Sequence, residues 1–182
     1  DAARGMADRA SEGAVERQAF RGRPKLRPGD IVEAVPGVVA TQHSGDGKAN
    51  QYFLRGFNLD HGTDFAVTVD GMPVNMPTHG HGQGYADLNF LIPDLVSGVR
   101  YRKGPYFADS GDFSLAGSAS LDYLSALDAP FIETTLGANR LRRLLAAGSR
   151  TRDDQTWLGA IELEGNDGPW DVPERLRKVN AV

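Results

Sequence analysis

The sequence predicts an α+β fold: a small mixed β-sheet with short helices, followed by a run of antiparallel strands. Three observations carry this. In residues 65–69, Phe65, Val67 and Val69 alternate with Ala66 and Thr68, the period of two that buries one strand face, and Asp70-Gly71 behind them is the strongest short-range hairpin signal. The 22 glycines and 10 prolines predict many loops and few long helices. After Pro130, apolar and polar residues alternate through three successive stretches.

Residues 1–22 are polar, rich in Ala, Arg and Glu, and aperiodic, which predicts a mobile terminal arm. Pro28 opens a helical turn over 29–35, with Ile31, Val32 and Val35 on one side. Pro36-Gly37 ends it, and 38–40 follows as a short buried strand. Residues 52–54 and 65–69 are expected in one compact sheet, with glycine loops at one end. Pro93 and Asp94 suit the start of a short helix. Val99-Arg100-Tyr101-Arg102-Lys103 alternates as a strand with one wet face, Gly104-Pro105 turns the chain, and 118–124 forms another strand. Between them lies a small-residue loop in which Asp109 and Asp112 are turn residues.

Beyond Pro130, Ile132, Thr134, Leu136 and Ala138 alternate with Phe131, Glu133, Thr135 and Gly137. A second run covers 142–150, and a polar turn covers 151–155. In 156–164 one face carries Trp157, Gly159, Ile161 and Leu163, and the other Leu158, Ala160, Glu162 and Glu164. A membrane barrel with lipid outside and water inside has this pattern. So does a soluble antiparallel sheet with one solvated face, and these residues alone leave both open.

A net charge of −4 gives no electrostatic reason to expect nucleic acid. The absence of cysteine excludes disulfides, thiolate chemistry and Cys-based zinc sites. No window reaches the ~18 apolar residues of a spanning helix, and Asp1-Ala2-Ala3-Arg4-Gly5 has no signal pattern, so the chain reads as a fragment of a longer protein. The loop 42–50 superficially resembles a phosphate cradle through Gly45, Gly47 and Lys48. The pattern fails because Gln42 stands where a glycine is required and Ala49 replaces the magnesium-binding hydroxyl. No Ser-His-Asp or paired-carboxylate arrangement has a reason to be catalytic, so no enzyme activity is expected.

Five motifs then fall into one order: Pro36-Gly37-Val38-Val39, Tyr52-Phe53-Leu54-Arg55-Gly56-Phe57, Val67-Thr68-Val69-Asp70-Gly71-Met72-Pro73-Val74, Ile92-Pro93-Asp94-Leu95-Val96 running on to Gly104-Pro105, and the small-residue segment 108–124. In this order and spacing they resemble the plug domain of TonB-dependent outer-membrane receptors, over about residues 28–127. The resemblance implies an N-terminal arm at 1–22, a plug at 23–127 and the first antiparallel strands of a truncated transmembrane β-barrel at 128–182. A barrel of ~22 strands at ~10 residues each needs several hundred residues, so two or three strands belong to a longer parent. The family's TonB box has no clear match, and residues 5–8 are its candidate remnant.

What the resemblance implies about function is import of a scarce solute, with a metal or metal chelate among the candidates. The site would be the outer membrane of a Gram-negative cell, with the plug inside the barrel and the arm facing the periplasm. A TonB-type energy-transducing protein would engage the arm by strand addition, lipid would surround the barrel, and a small-molecule ligand would meet the plug. No resident cofactor is implied. The apical loops are 42–50, 58–64 and 75–85, and they hold all four histidines, His43, His61, His79 and His81. Imidazole is the commonest side-chain ligand for transition metals. These four with Asp60, Gln83 and Tyr85 are the candidate ligand-binding residues; Asp64 and Asn75 stand beside them, and His79 and His81 are the candidate metal pair. The plainer alternative makes the histidines solvated turn residues. Arg55, Arg100 and Arg102 are read as plug–barrel attachment points, where a guanidinium pairs bidentately with wall acids, and Lys103 is read likewise as an attachment cation. The rival functions are a soluble α+β binding module without transport and a His-based metallohydrolase; the second lacks a carboxylate base at motif spacing and a supporting helix.

Overall fold

The computed structural model describes residues 9–24 and 27–182. It divides into two units: one runs to Tyr123 apart from Gly45–Gly47, and the other holds Gly45–Gly47 and Leu124–Val182.

The first unit contains strands β1 (Glu12–Glu16), β2 (Val38–Thr41), β3 (Gln51–Leu54), β4 (Phe57–Asn58), β5 (Phe65–Val69), β6 (Met72–Pro73), β7 (Val96–Lys103) and β8 (Gly117–Tyr123). Five of them form a mixed sheet in the order β1-β7-β8-β5-β6, in which only β5 and β8 run parallel, and β2-β3-β4 form a second, antiparallel sheet. The short helices are 3₁₀ turns, at Arg17–Ala19, Pro28–Ala34, Pro93–Leu95 and Ala108–Ser110. Proline at the head of the second and third sets φ for the turn at no hydrogen-bond cost.

The Asp70-Gly71 signal is realised directly. Val69 pairs with Met72, and the two residues between them have φ of 48° and 79°. Two consecutive left-handed residues make the hairpin turn whose twist matches its strands. Arg55 and Gly56 build a second turn of this kind, at 53° and 83°, with Leu54 paired to Phe57.

Two expectations are corrected. Residues 52–54 and 65–69 lie in different sheets, and their buried faces meet, with the Tyr52 and Phe65 rings 6.5 Å apart. The period of two shows that each strand has a buried face but not which sheet it joins. The arm is also partly ordered. β1 pairs along β7 from Glu12 opposite Arg102 to Glu16 opposite Gly98, while Val15 and Phe20 enter the core. Backbone pairing with an open strand edge and two apolar side chains stabilise this segment, so its polar composition concealed it. Residues 5–8, the candidate TonB-box remnant, lie outside the described residues.

The second unit is one antiparallel sheet in the order β12-β11-β10-β9, made of β9 (Phe131–Leu136), β10 (Arg142–Arg152), β11 (Gln155–Asn166) and β12 (Leu176–Ala181). β12 escaped the sequence pattern because Leu176 and Val179 have opposite parity, which breaks the alternation. The two faces of the sheet have an inverted polarity. Ile132 and Trp157 are 75% and 71% exposed, and Leu136, Ile161, Leu163 and Val179 are exposed with them. The opposite face holds charges: Arg143 bonds Glu162 at 2.6 Å and approaches Glu133 at 3.4 Å, and Lys178 reaches Glu164 at 2.6 Å and Glu162 at 3.4 Å. Asn180 donates to the remaining Glu162 oxygen at 2.9 Å. Glu162 is only 1% exposed, so this network satisfies a buried carboxylate on every side.

Gly117 marks a tight backbone crossing in the first unit. A Cβ there would press on the Arg102 carbonyl oxygen and stand 3.2 Å from Lys103 Cα. Both obstacles are backbone and cannot rotate aside. Gly117→Ala is therefore expected to lower stability by about 1–3 kcal/mol in urea unfolding, and an unchanged midpoint would refute the close approach.

Candidate functional site

The histidine loops have almost no regular structure, so their hydrogen bonds must come from elsewhere. Part of the answer is β3. Its Tyr52 exchanges bonds with the following loop, donating to the Asp60 carbonyl at 2.8 Å and accepting from Leu59 N at 2.9 Å. Asn58 Oδ1 accepts from Asp60 N at 2.8 Å, an Asx turn that lets Asp60 take a φ of 47°. The loop is then laced to its neighbour: Ala86 N donates to the His61 carbonyl at 2.7 Å and Thr63 Oγ1 to the Gln83 carbonyl at 3.0 Å.

The rest of the answer is Asn75, buried between the loops. Its Oδ1 accepts from Val67 N of β5 at 2.6 Å, and its Nδ2 faces the carbonyls of Gly62, Phe65 and Gly84 at 2.9, 3.0 and 2.9 Å. Sequence reasoning placed Asn75 among possible ligand donors. It is instead the clamp that joins both loops to the sheet. A polar residue between glycine loops looks the same in sequence whether it points out or in, so nothing local reveals this.

The clamped loops bring the histidines together. His61 is 1% exposed, and its Nδ1 lies 2.9 Å from the Asn50 carbonyl. A carbonyl oxygen only accepts, so Nδ1 carries the proton and Nε2 presents a lone pair. That Nε2 has no hydrogen-bond partner among the described residues. Asp60 Oδ1 lies 3.6 Å from it, and Asp60 Oδ2 stands 3.4 Å from His81 Nε2. Burial, outweighing the hydrogen bond to Asn50 and the charge of Asp60, holds the His61 pKa below the ordinary imidazole value. One ligand atom from each of Asp60, His61 and His81 lies within 4.8 Å of the others.

Aromatic contacts frame this group. The His61 ring lies 4.6 Å from His81, 5.1 Å from His43 and 5.4 Å from Tyr85, centroid to centroid. His79 stacks on Tyr85 at 4.0 Å, and its Nδ1 accepts the His81 backbone N–H at 3.1 Å. Tyr85 is buried, and its hydroxyl accepts from Ala49 N at 3.0 Å, so all three loops meet at its ring. The pair singled out in the sequence, His79 and His81, is thus divided. His81 converges with Asp60 and His61, while His79 supports it by stacking. Gln83 and Asp64 are tied in through their backbone carbonyls.

The basic residues fall elsewhere. Arg55 is exposed at its hairpin turn. Arg100 pairs with Asp122 at 2.8 Å, and Arg102 holds Asp109 at 2.8 and 2.9 Å while its guanidinium covers the Phe107 ring at 4.5 Å. The hydrogen bond from Arg102 keeps the Asp109 carboxyl below the usual carboxylate range. Asp109 therefore does more than fill a turn. Lys103, read as an attachment cation, is buried with its ammonium 5.0 Å from the Tyr101 ring, and burial lowers its pKa.

If Asn75 is the clamp, Asn75→Ala strands a backbone N–H and several carbonyls, and a loss of about 2–4 kcal/mol in urea unfolding is expected. Asn75→Asp should also destabilise, because a carboxylate keeps the bond from Val67 and cannot donate to the three carbonyls. Wild-type stability in both variants would contradict the assignment.

The family model described as TonB-dependent Receptor Plug Domain matches residues 7–118, more than half of the chain. The fold is similar to the ferric enterobactin receptor of Pseudomonas aeruginosa, with a TM-score of 0.64 and 16% identity over 89% of this chain and 26% of that one. The siderophore receptor PirA of the same organism matches with a TM-score of 0.62 and 16% identity, over 95% of this chain and 31% of its own. The ferric yersiniabactin uptake receptor of Yersinia pestis gives 0.61 and 18%, over 86% and 24%. The chain thus spans about a quarter to a third of these receptors' length. On the match over residues 7–118, the chain belongs to the TonB-dependent receptor plug family.

Proposed function

We propose that this chain is the gating part of an outer-membrane receptor that imports a scarce solute, a metal or metal chelate, with energy from a TonB-type protein. The observation that carries the membrane part is the inverted sheet β9–β12, with Ile132, Trp157 and Val179 exposed on one face and the Arg143–Glu162–Lys178 network on the other. A soluble sheet that exposes its apolar face and buries its charges would be solvated the wrong way round. In a barrel wall, lipid takes the apolar face and the lumen the charged one. The plug's family and the siderophore receptors among its structural neighbours support a metal chelate as the solute class.

The ligand would be met by the apical loops through His43, Asp60, His61, His79, His81, Gln83 and Tyr85, the region that Asn75 holds in place. Arg55 forms no ion pair among the described residues and is the freest of the three attachment arginines; Arg100 and Arg102 are engaged with Asp122 and Asp109. The TonB-type partner would add a strand to the N-terminal arm, and the ordering of Glu12–Glu16 as β1 shows that this segment takes strand conformation.

Single cysteines introduced at Ile161 and Glu162 of the full-length receptor, in a background with every other cysteine replaced, can carry spin labels in the outer membrane. The label at 161 is expected to be relaxed by oxygen dissolved in lipid, and the label at 162 to be shielded from lipid. The reverse order would contradict the barrel assignment. Uptake that persists after deletion of the TonB-type partner would contradict energised import.

A further inference from the structure

We propose that Asp60, His61 and His81 form an open three-ligand site for a divalent first-row transition-metal ion, best matched to Zn²⁺. The proposal deepens the transport function by naming the cargo class, and it rests on that function only for the ion's role as cargo; binding itself stands on the geometry alone.

The spacing is the first argument. A tetrahedral ion with bonds of about 2.0–2.1 Å holds its donors roughly 3.3–3.4 Å apart. Asp60 Oδ2 lies 3.4 Å from His81 Nε2 and Asp60 Oδ1 lies 3.6 Å from His61 Nε2, so both imidazoles face one carboxylate. One donor atom from each residue lies within 4.8 Å of the others, a spread that side-chain rotation of the half-exposed Asp60 and His81 can close around an ion.

His61 itself calls for a cation. Its Nε2 is buried and without a hydrogen-bond partner among the described residues, a state that is destabilising when nothing satisfies it. The Asn50 carbonyl fixes the proton on Nδ1, so the free lone pair is aimed at the Asp60 carboxylate. Lone pair facing carboxylate is repulsive, and a cation between them turns the contact into two bonds. A proton on His81 would answer only the Asp60–His81 pair and leave His61 unsatisfied. An imidazole oriented through its second nitrogen by a backbone carbonyl is the usual support for a metal-bound histidine.

Donor chemistry and exposure set the kind of ion. Two imidazoles and one carboxylate suit Zn²⁺, Co²⁺, Ni²⁺ or Fe²⁺, whereas Mg²⁺ and Ca²⁺ prefer oxygen-only shells. The site is anchored on one side and open on the other: the His81 and Asp60 side chains are 37% and 44% exposed, against 1% for His61. Three protein donors leave a coordination position for water or for a ligand carried in with the ion, as in exchangeable sites and unlike closed structural ones. His79 holds the opening in shape through its stack on Tyr85 and its bond from His81 N. An ion whose shell a chelator already fills would find no vacancy to offer these imidazoles, so the site selects aquated or partly chelated metal.

The test is a titration of the detergent-solubilised full-length receptor with Co²⁺, followed by its d–d absorption, and then with Zn²⁺. One equivalent of Co²⁺ is expected to bind with a tetrahedral spectrum and to be displaced by Zn²⁺ but not by excess Mg²⁺. His81→Ala and Asp60→Asn, both at partly exposed side chains, are each expected to weaken binding at least about tenfold while keeping the wild-type unfolding midpoint. Absence of binding, wild-type affinity in both variants, or displacement by Mg²⁺ would overturn the proposal. The titration needs neither a lipid bilayer nor a TonB-type partner, so its failure is distinguishable from failure of the lipid-exposure test.

Discussion

The amide of Asn75 is the constraint on which the upper part of the plug depends. Two glycine loops approach each other so closely that a Cβ on Gly62 would stand 2.8 Å from Ala86 Cβ, and one on Gly84 would stand 3.0 Å from Thr63 Cα. Such an approach buries carbonyls that no strand or helix is placed to satisfy. A single side chain that accepts from Val67 and donates toward Gly62, Phe65 and Gly84 answers this. Aspartate cannot donate and leucine can do neither, so the requirement is for an amide. Once it is met, irregular backbone is held as firmly as a sheet edge, and Asp60, His61 and His81 inherit fixed positions.

The second unit shows the same economy with charge. Desolvating Arg143, Glu162 and Lys178 costs several kcal/mol per ion unless each finds partners in good geometry. Cross-strand register supplies them: Lys178 lies opposite Glu164, Asn180 opposite Glu162, and Arg143 reaches Glu162 on the diagonal. The same register places Leu144, Leu163 and Val179 side by side on the other face. One alternation thus builds a buried ionic face and an exposed apolar face at once.

Much of this was legible where the cause is local. The alternation in β5 and β7, the proline-led turns and the Asp70-Gly71 hairpin each follow from residues within a few positions of one another. The order of such local signals was enough to resemble the family. What stayed hidden depends on contacts far along the chain. β1 exists because β7 offers it an edge, and β3 and β5 part into two sheets because their buried faces stack. Glu162 could face water or a buried ionic network on the same alternation, and only the register across neighbouring strands separates the two.

The candidate site divides along the same line. That all four histidines fall in three loops could be seen, and those loops do meet at Tyr85. Which histidines share a focus could not. Proximity in sequence favoured His79 with His81, but a bond from the His81 N–H occupies His79 Nδ1, while His61 arrives from another loop with its tautomer set by Asn50. The most direct measurement is anomalous diffraction from crystals grown with Zn²⁺, recorded on both sides of the zinc absorption edge. An anomalous peak is predicted within about 2.0–2.2 Å of Asp60 oxygen, His61 Nε2 and His81 Nε2 together. Zinc bound at His79 without His61, or no peak at this focus, would contradict it.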